Sequence, residues 1–341
     1  MNSLKPLLGR LATGETLTEA EAESAFGIIM EGEATPAQIA GLLMAMRLRG
    51  ETVAEMTGAV RAMLARMTPA EAPPGAVDIV GTGGDGAGTL NISTAAAMVV
   101  AGAGVPVAKH GNRALSSRSG ASDALTALGV NLDLPLGELP RVMREAGMMF
   151  LAAPRHHAAL RHASGPRVEL GTRTIFNLLG PLTNPARVKR QMTGAFAAQW
   201  LRPMAETLGR IGTERAWLVH GQGLDELTVA GPSEVVELRD GQIRAFTVSP
   251  ADAGLPESPA ETLRGGDPAH NAERLEALLR GERSPYRDCV ILNAAAALVV
   301  AGNTDDLRGA AGRAARSIDE GAALAVLERL RRATQSDTSA N

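Results

Sequence analysis

The chain has 341 residues, 45% of them hydrophobic and only 2% aromatic, with a formal net charge of -3 at pH 7. That is enough chain for one large core beside a smaller domain, with Ala, Gly, Leu and Val carrying the packing. A single cysteine excludes an internal disulfide framework and a cysteine-rich metal site, and the scattered basic residues argue against a nucleic-acid-binding surface.

The opening M-N-S-L-K-P-L-L-G-R lacks the long apolar segment of a secretion signal, so a cytoplasmic location is expected. Three helix starts come next: T-E-A-E at Thr18, T-P-A-Q at Thr35 and T-V-A-E at Thr52. Each is a capping box, in which a Thr oxygen accepts the backbone N–H three residues on and a Glu or Gln reaches back. Pro36 sits at the first helical position, where its missing N–H costs nothing. The starts are 17 residues apart, which predicts three short helices with tight turns, one of them ended by Gly50. Thr68–Gly75, T-P-A-E-A-P-P-G, is a proline-rich connector and the expected domain boundary.

The pattern then changes. Val77–Val80 reads as a strand, Ser93–Gly102 as a helix, Val105–Lys109 as a strand and Gly120–Leu128 as a helix. A strand near Met148–Ala152 follows, then Met192–Phe196 and Arg215–His220. A hairpin runs from Glu234 to Val248, with Asp240-Gly241 as its type I′ turn signal. This alternation predicts an α/β fold with a mainly parallel central sheet and helices on both faces. Apolar runs such as Ala95–Gly104 are too short and glycine-broken to span a membrane. Cys289 reads as a core position rather than a nucleophile. After about Arg332 the chain turns polar, and 336–341 is expected to fray.

The first strand empties into G-T-G-G-D-G-A-G-T-L-N-I-S-T, where Gly81, Gly83 and Gly86 satisfy G-x-G-x-x-G. A dinucleotide-binding turn would want an acidic residue roughly 20 positions further on, to hold the ribose hydroxyls. None occurs between Asp85 and Asp123; Lys109, His110, Arg113 and Arg118 stand there instead. A Walker loop is excluded as well, because no Gly-Lys-Ser/Thr follows the glycines. What remains is an anion site. Glycines let backbone amides approach closely, and Asn91, Ser93 and Thr94 fall at a helix N-terminus, where free N–H groups favour phosphate. Either segment alone could be a plain helix cap or a surface basic loop. Two hydroxyl-rich, acid-free segments after successive strands point to a polyphosphate ligand.

Beside that loop stand three further segments. They are K-H-G-N-R-A-L-S-S-R-S-G-A-S-D (Lys109–Asp123), R-V-E-L-G-T-R-T-I-F-N-L-L-G-P-L-T-N-P (Arg167–Pro185) and V-H-G-Q-G-L-D-E-L (Val219–Leu227). Together the four closely resemble the anthranilate phosphoribosyltransferase family, and the likeness covers nearly the full length. It implies a small helical domain, 1–72, rejoined by a returning segment near 165–190. It implies a large α/β domain, 73–164 and 191–335, of the nucleoside phosphorylase/phosphoribosyltransferase type, and a homodimer formed through the helical domain. The implied reaction joins anthranilate to 5-phosphoribosyl diphosphate (PRPP), giving N-(5-phosphoribosyl)anthranilate and diphosphate for tryptophan biosynthesis. Mg²⁺ is the implied cofactor, two ions per subunit. Neither nucleic acid nor a membrane is an expected partner.

By the same resemblance, PRPP is cradled by Gly81, Gly84, Asp85, Thr89, Asn91, Ile92, Ser93 and Thr94. Lys109, Arg113, Ala114, Leu115, Ser116, Ser117 and Ala121 complete that cradle. Asp85 is expected at a ribose hydroxyl or a neighbouring amide, not at phosphate. Anthranilate is implied to meet Gly81, His110, Asn112 and Arg167, with Pro154 as an apolar wall. Ser93, Asp225 and Glu226 are the implied metal ligands. Adjacent carboxylates after a strand suit Mg²⁺, which takes one or two of them plus substrate phosphate; a solvated turn is the alternative. Arg167 could equally form a surface salt bridge with Glu169 or Asp123, and His110 could be a satisfied strand-end histidine. The sequence departs from the family pattern at Leu90, where Phe is common, and at Ala121, where a Ser hydroxyl often contacts phosphate. His157-Ala158 replaces a His-Pro or His-Ser pair, and the loop before Asp225 is one residue shorter than in many relatives. Two rivals share the implied fold: a pyrimidine nucleoside phosphorylase-like enzyme and a non-catalytic nucleic-acid-binding relative. The first would want a different lysine–serine–arginine set after the second strand. The second should lack the Asp-Glu pair and carry a basic groove.

Overall fold

The computed structural model describes residues 3–112 and 119–335, so the tail expected to fray lies outside the described residues. Four helices open the chain: α1 (Lys5–Ala12), α2 (Glu19–Met30), α3 (Pro36–Arg49) and α4 (Val53–Arg66). The last three begin at Thr18, Thr35 and Thr52, each with both bonds of the capping box in place. Gly50, at φ 95°, ends α3 as expected. The sequence reading missed α1, which has no side-chain cap to announce it.

The third capping box does more than start a helix. Glu55 is fully buried and accepts the N–H groups of Thr52 and Leu17, both at 2.9 Å, while Arg49 pairs with it at 2.5 Å. Truncating it would leave two backbone donors without their acceptor and a half-buried guanidinium with only the Glu15 and Gly50 carbonyls as partners. Glu55→Ala is therefore expected to cost about 3–5 kcal/mol, the usual loss when one partner of a buried ion pair is removed. Urea unfolding measures this. A loss no larger than an ordinary cap, about 1 kcal/mol, would show that water replaces the carboxylate.

A seven-stranded sheet follows. β1 (Val77–Gly81), β2 (Val107–Gly111), β3 (Met148–Ala152), β4 (Arg190–Gly194) and β5 (Arg215–His220) run parallel. β6 (Ser233–Arg239) and β7 (Gln242–Val248) add an antiparallel hairpin at one edge, and the order is β3-β2-β1-β4-β5-β6-β7. The hairpin turns on Asp240 and Gly241 at φ 50° and 77°, as a type I′ turn requires. β2 starts two residues later than the sequence suggested. Pro106 has no N–H for the ladder, and its carbonyl accepts from Val77 instead, at 3.0 Å. β4 ends two residues earlier, because beyond Gly194 the Phe196 N–H turns to the Thr82 hydroxyl, at 3.0 Å.

Helices α5 (Ile92–Gly102), α6 (Ala121–Ala127) and α7 (Leu139–Ala146) link the first three strands. α8 (Ala153–His156), α9 (Arg161–Leu170) and α10 (Phe176–Leu179) then carry the chain back to the opening helices, α9 against α3 and α2, α10 against α4. α11 (Leu201–Arg210) joins β4 to β5. Four helices close the chain: α12 (Pro268–Leu279), α13 (Pro285–Val300), α14 (Leu307–Asp319) and α15 (Ala322–Thr334). Alternate side chains of β5 feed two cores. Trp217 and Val219 face a core built with α5 and α13, while Ala216 and Leu218 face one shared with α11 and the opening helices. Cys289 is fully buried in the first of these. Among the described residues, no helix is long and apolar enough to cross a membrane.

Candidate active site

The strand order reverses at β1, which lies between β2 and β4. In an open α/β sheet, such a reversal opens a crevice at the carboxyl ends of the strands. Here a cavity of about 300 Å³ lies there, with the opening helices and α9–α10 forming its other wall. Gly81, Gly84, Asp85 and Thr89 line it from the glycine loop, and Asn91, Ile92, Ser93 and Thr94 from the start of α5. Lys109 and His110 enter from β2, Asn112 from just beyond it, Ala121 from α6, and Arg167 from α9. Arg113, Ala114, Leu115, Ser116 and Ser117 lie outside the described residues.

Asp225 and Glu226 decide between the two readings of their turn. Both are only 9% exposed, and they reach back to the glycine loop and to the start of α5 respectively. Asp225 Oδ2 accepts the Gly83 N–H at 2.6 Å, and Glu226 Oε1 accepts the Ser93 N–H at 3.1 Å. The approach depends on missing side chains, since a Cβ on Gly194 would overlap the Asp225 carbonyl and one on Gly81 its carboxylate. Asn293 of α13 fixes the next residue from both sides, accepting from the Leu227 N–H at 3.0 Å and donating to its carbonyl at 2.8 Å. A solvated turn is excluded.

Burial sets the charge state of this cluster. It raises Asp225 to about 7, with the Asp85 charge adding to the effect, and Glu226 to about 8, with Asp225 adding. Burial lowers Lys109, while Asp78, Glu226 and Asp225 hold it up. The Lys109 ammonium donates to the Ile79 carbonyl at 2.5 Å and to Ser93 Oγ at 3.3 Å. Asp85 caps its own turn, accepting from the Ala87 N–H at 3.0 Å. Among the described residues, no group of three or more His, Cys, Asp or Glu forms a metal cage by itself. Two desolvated carboxylates beside a Ser hydroxyl fit a hard cation that takes its remaining ligands from phosphate and water. Thr94 Oγ1, buried without a hydrogen-bond partner among the described residues, is a further polar atom at this wall.

The other end of the cavity is more apolar. His110 is 3% exposed, its backbone N–H donates to Asp78 at 3.0 Å, and its ring lies 5.3 Å from that of His157. Burial holds it well below the ordinary histidine range, with His157 and His156 adding to the effect, so the ring is neutral. Among the described residues its Nε2 has no partner, while the Gly180 backbone bonds the ring, so this histidine is satisfied on one nitrogen only. Arg167 is half-buried, with its guanidinium carbon 5.1 Å from the Phe176 ring centroid. Among the described residues it makes no ion pair with Glu169 or Asp123, and Asp123 instead accepts the Gly120 N–H at 3.0 Å. Pro154 stands exposed in the first turn of α8 and is not among the residues lining the cavity, where Ala153, His157 and Leu160 stand.

Sequence reasoning passed over the helical side of the cavity. Met63 of α4 and Phe176 and Asn177 of α10 line it, although only the latter two sit in a quoted motif. It also missed the residues that hold Asn91. Asn271 of α12 donates to its side-chain oxygen at 3.0 Å, and Tyr286 of α13 to its carbonyl at 3.2 Å. No local pattern signals such distant supports.

Two family models match the chain. The glycosyl transferase family helical bundle domain covers residues 5–67, and the glycosyl transferase family a/b domain covers residues 73–324. An anthranilate phosphoribosyltransferase of Paramagnetospirillum magneticum is 59% identical over 96% of this chain and 95% of its own length. One of Rhodospirillum rubrum is 58% identical over 96% and 95%. Among solved structures, the anthranilate phosphoribosyltransferase of Thermus thermophilus superposes with a TM-score of 0.92 at 44% identity, covering 96% of this chain and 99% of its own. That of Saccharomyces cerevisiae, in complex with PRPP and Mg, gives 0.89 at 27% identity, with 97% of each chain covered.

Proposed function

Since the chain belongs to the glycosyl transferase family, among its anthranilate phosphoribosyltransferases, we propose a division of labour within the cavity for that reaction. The enzyme transfers the 5-phosphoribosyl group of PRPP to the amine of anthranilate, releasing diphosphate, in tryptophan biosynthesis. The observation that carries the division is the burial of Asp225 and Glu226 against the glycine loop and the start of α5. It supports a diphosphate end at that wall and an anthranilate end toward His110 and Arg167.

The reaction needs a stabilised leaving group and a sugar carbon that becomes cationic, with a weak aryl-amine nucleophile held in line. The amine is already neutral at pH 7, so positioning and electrostatics supply the acceleration. Gly81, Gly84, Thr89 and residues 91–94 bind PRPP, together with Lys109 and the segment 113–117. Ala121 offers backbone alone. Mg²⁺, at two ions per subunit, would be held by Ser93, Asp225 and Glu226 with substrate phosphate, and supplies positive charge to the departing diphosphate. Asn112 and neutral His110 line the anthranilate end. Residues 1–72 with 165–190 form the body that closes the cavity. Exposed Leu48 and Val168, on the packed helices α3 and α9, support pairing of two subunits there; a monomeric mass in sedimentation would remove that pairing. We place the enzyme in the cytoplasm, and a cell fractionation tests this.

Arg167 carries the sharpest consequence at the anthranilate end. A guanidinium can meet a planar carboxylate with two parallel hydrogen bonds. A charge-assisted bond contributes about 1.5–3 kcal/mol, roughly 10- to 150-fold in binding. Arg167→Ala is expected to raise the KM for anthranilate by that factor and the KM for PRPP by less. Lysine should rescue only partly, because a point charge cannot reproduce the fork. Steady-state kinetics against each substrate decides, and an unchanged anthranilate KM removes Arg167 from the site. The phosphorylase alternative is tested by replacing PRPP with inorganic phosphate and a pyrimidine nucleoside. Phosphorolysis in place of phosphoribosyl transfer would overturn the assignment.

A further inference from the structure

Arg173 lies between α9 and α10, on the segment that returns to the opening helices, and it does not line the cavity. Its guanidinium donates to the Gly84 carbonyl of the glycine loop and stacks over the Phe196 ring, 4.2 Å from the centroid. Phe196 is itself tied to the root of that loop, since its N–H donates to Thr82 Oγ1 at 3.0 Å. Thr82 in turn donates its N–H to the Gly194 carbonyl at 3.0 Å, and Gly83 donates to Asp225 at 2.6 Å. Three consecutive loop residues are thus held by three separate parts of the chain, and Arg173 is the hold that comes from the helical side.

We propose that Arg173 is a positioning residue for PRPP, fixing the glycine loop through the Gly84 carbonyl while Phe196 fixes the guanidinium. None of the described peptide bonds is cis, so the Gly84–Asp85 peptide is planar and trans. Holding its carbonyl on one side directs the Asp85 N–H to the other side of the same plane. Gly83 and Gly84 have φ of 64° and 69°, a backbone with few side-chain contacts of its own to keep it in place. Successive amides in such a conformation form an anion-binding concavity only when their orientation is kept. Arg173 makes no ion pair with a carboxylate among the described residues, so its charge is directed at this carbonyl and ring. The aromatic face and the planar fork are both used at once, which an ammonium cannot do.

The inference rests on the reading of the loop as the PRPP site, and its test separates the two. Kinetics of Arg173→Ala, Arg173→Lys and Phe196→Leu are measured with each substrate varied in turn, beside the wild type. Loss of a charge-assisted hydrogen bond is worth about tenfold or more. Arg173→Ala should raise the PRPP KM by that factor and change the anthranilate KM less than about threefold. Arg173→Lys should recover part of the loss, and Phe196→Leu should show a smaller rise in the same direction. If Arg173→Ala fails to fold, Arg173→Lys and Phe196→Leu carry the same comparison. An unchanged PRPP KM, or equal rises for both substrates, overturns the positioning role while the wild-type activity stands. Absence of turnover in the wild type would instead remove the PRPP reading itself.

Discussion

Replacing Asp225 with Asn and Glu226 with Gln together is expected to lower kcat by about 10²–10³, the scale seen when a charge-stabilising group is removed from a reaction centre. The substitutions keep shape and remove two carboxyl groups, set against Gly83 and Ser93, that can ionise to meet a cation. Mg²⁺ dependence should shift to higher concentration, because the metal would then rely on phosphate and water alone. Folding should survive. Burial already disfavours the charged form of both carboxyls, and Lys109 keeps the Ile79 carbonyl and the neighbouring Asp78 as partners. Thermal unfolding in metal-free buffer, beside a Mg²⁺ titration of activity, checks both halves. An unaltered Mg²⁺ optimum in the double variant would show that the pair does not serve the metal.

Gly84→Val should abolish PRPP binding. The position has φ 69°, and a β-branched residue there is a genuine outlier costing of order 1–3 kcal/mol of backbone strain. The chain relieves that strain by leaving the conformation, and the Gly84 carbonyl then leaves Arg173. Anthranilate affinity should survive, since His110 and Arg167 stand on β2 and α9, away from the loop. Calorimetry with PRPP and Mg²⁺ is the direct check. Intact binding would make the loop structural.

Those loop glycines were legible because their chemistry is local. The same holds for the capping boxes at Thr18, Thr35 and Thr52, for β3 and β5, and for the turn at Asp240-Gly241, where the needed residues are adjacent in sequence. The four closing helices were not read. α13 is buried along nearly its whole length, so it has no polar face to give a helical period. The state of Asp225 and Glu226 was equally hidden. As a dipeptide they are a turn; their burial comes from Gly83 and Ser93, more than 130 residues earlier, and from Asn293, 66 residues after Leu227. Arg173 stood inside a quoted motif with nothing to distinguish it from Arg167, because its partners, Gly84 and Phe196, come from two other strand ends. Pro154 illustrates the converse. The family resemblance placed it at the cavity, but it stands exposed in the first turn of α8.

The enzyme joins PRPP to the amine of anthranilate. Anthranilate fluorescence, followed as PRPP and Mg²⁺ are added to the enzyme, tests it most directly. The expected result is a decay that needs both additions and that Asp225→Asn with Glu226→Gln slows by about 10²–10³. Steady fluorescence with micromolar wild-type enzyme would contradict it.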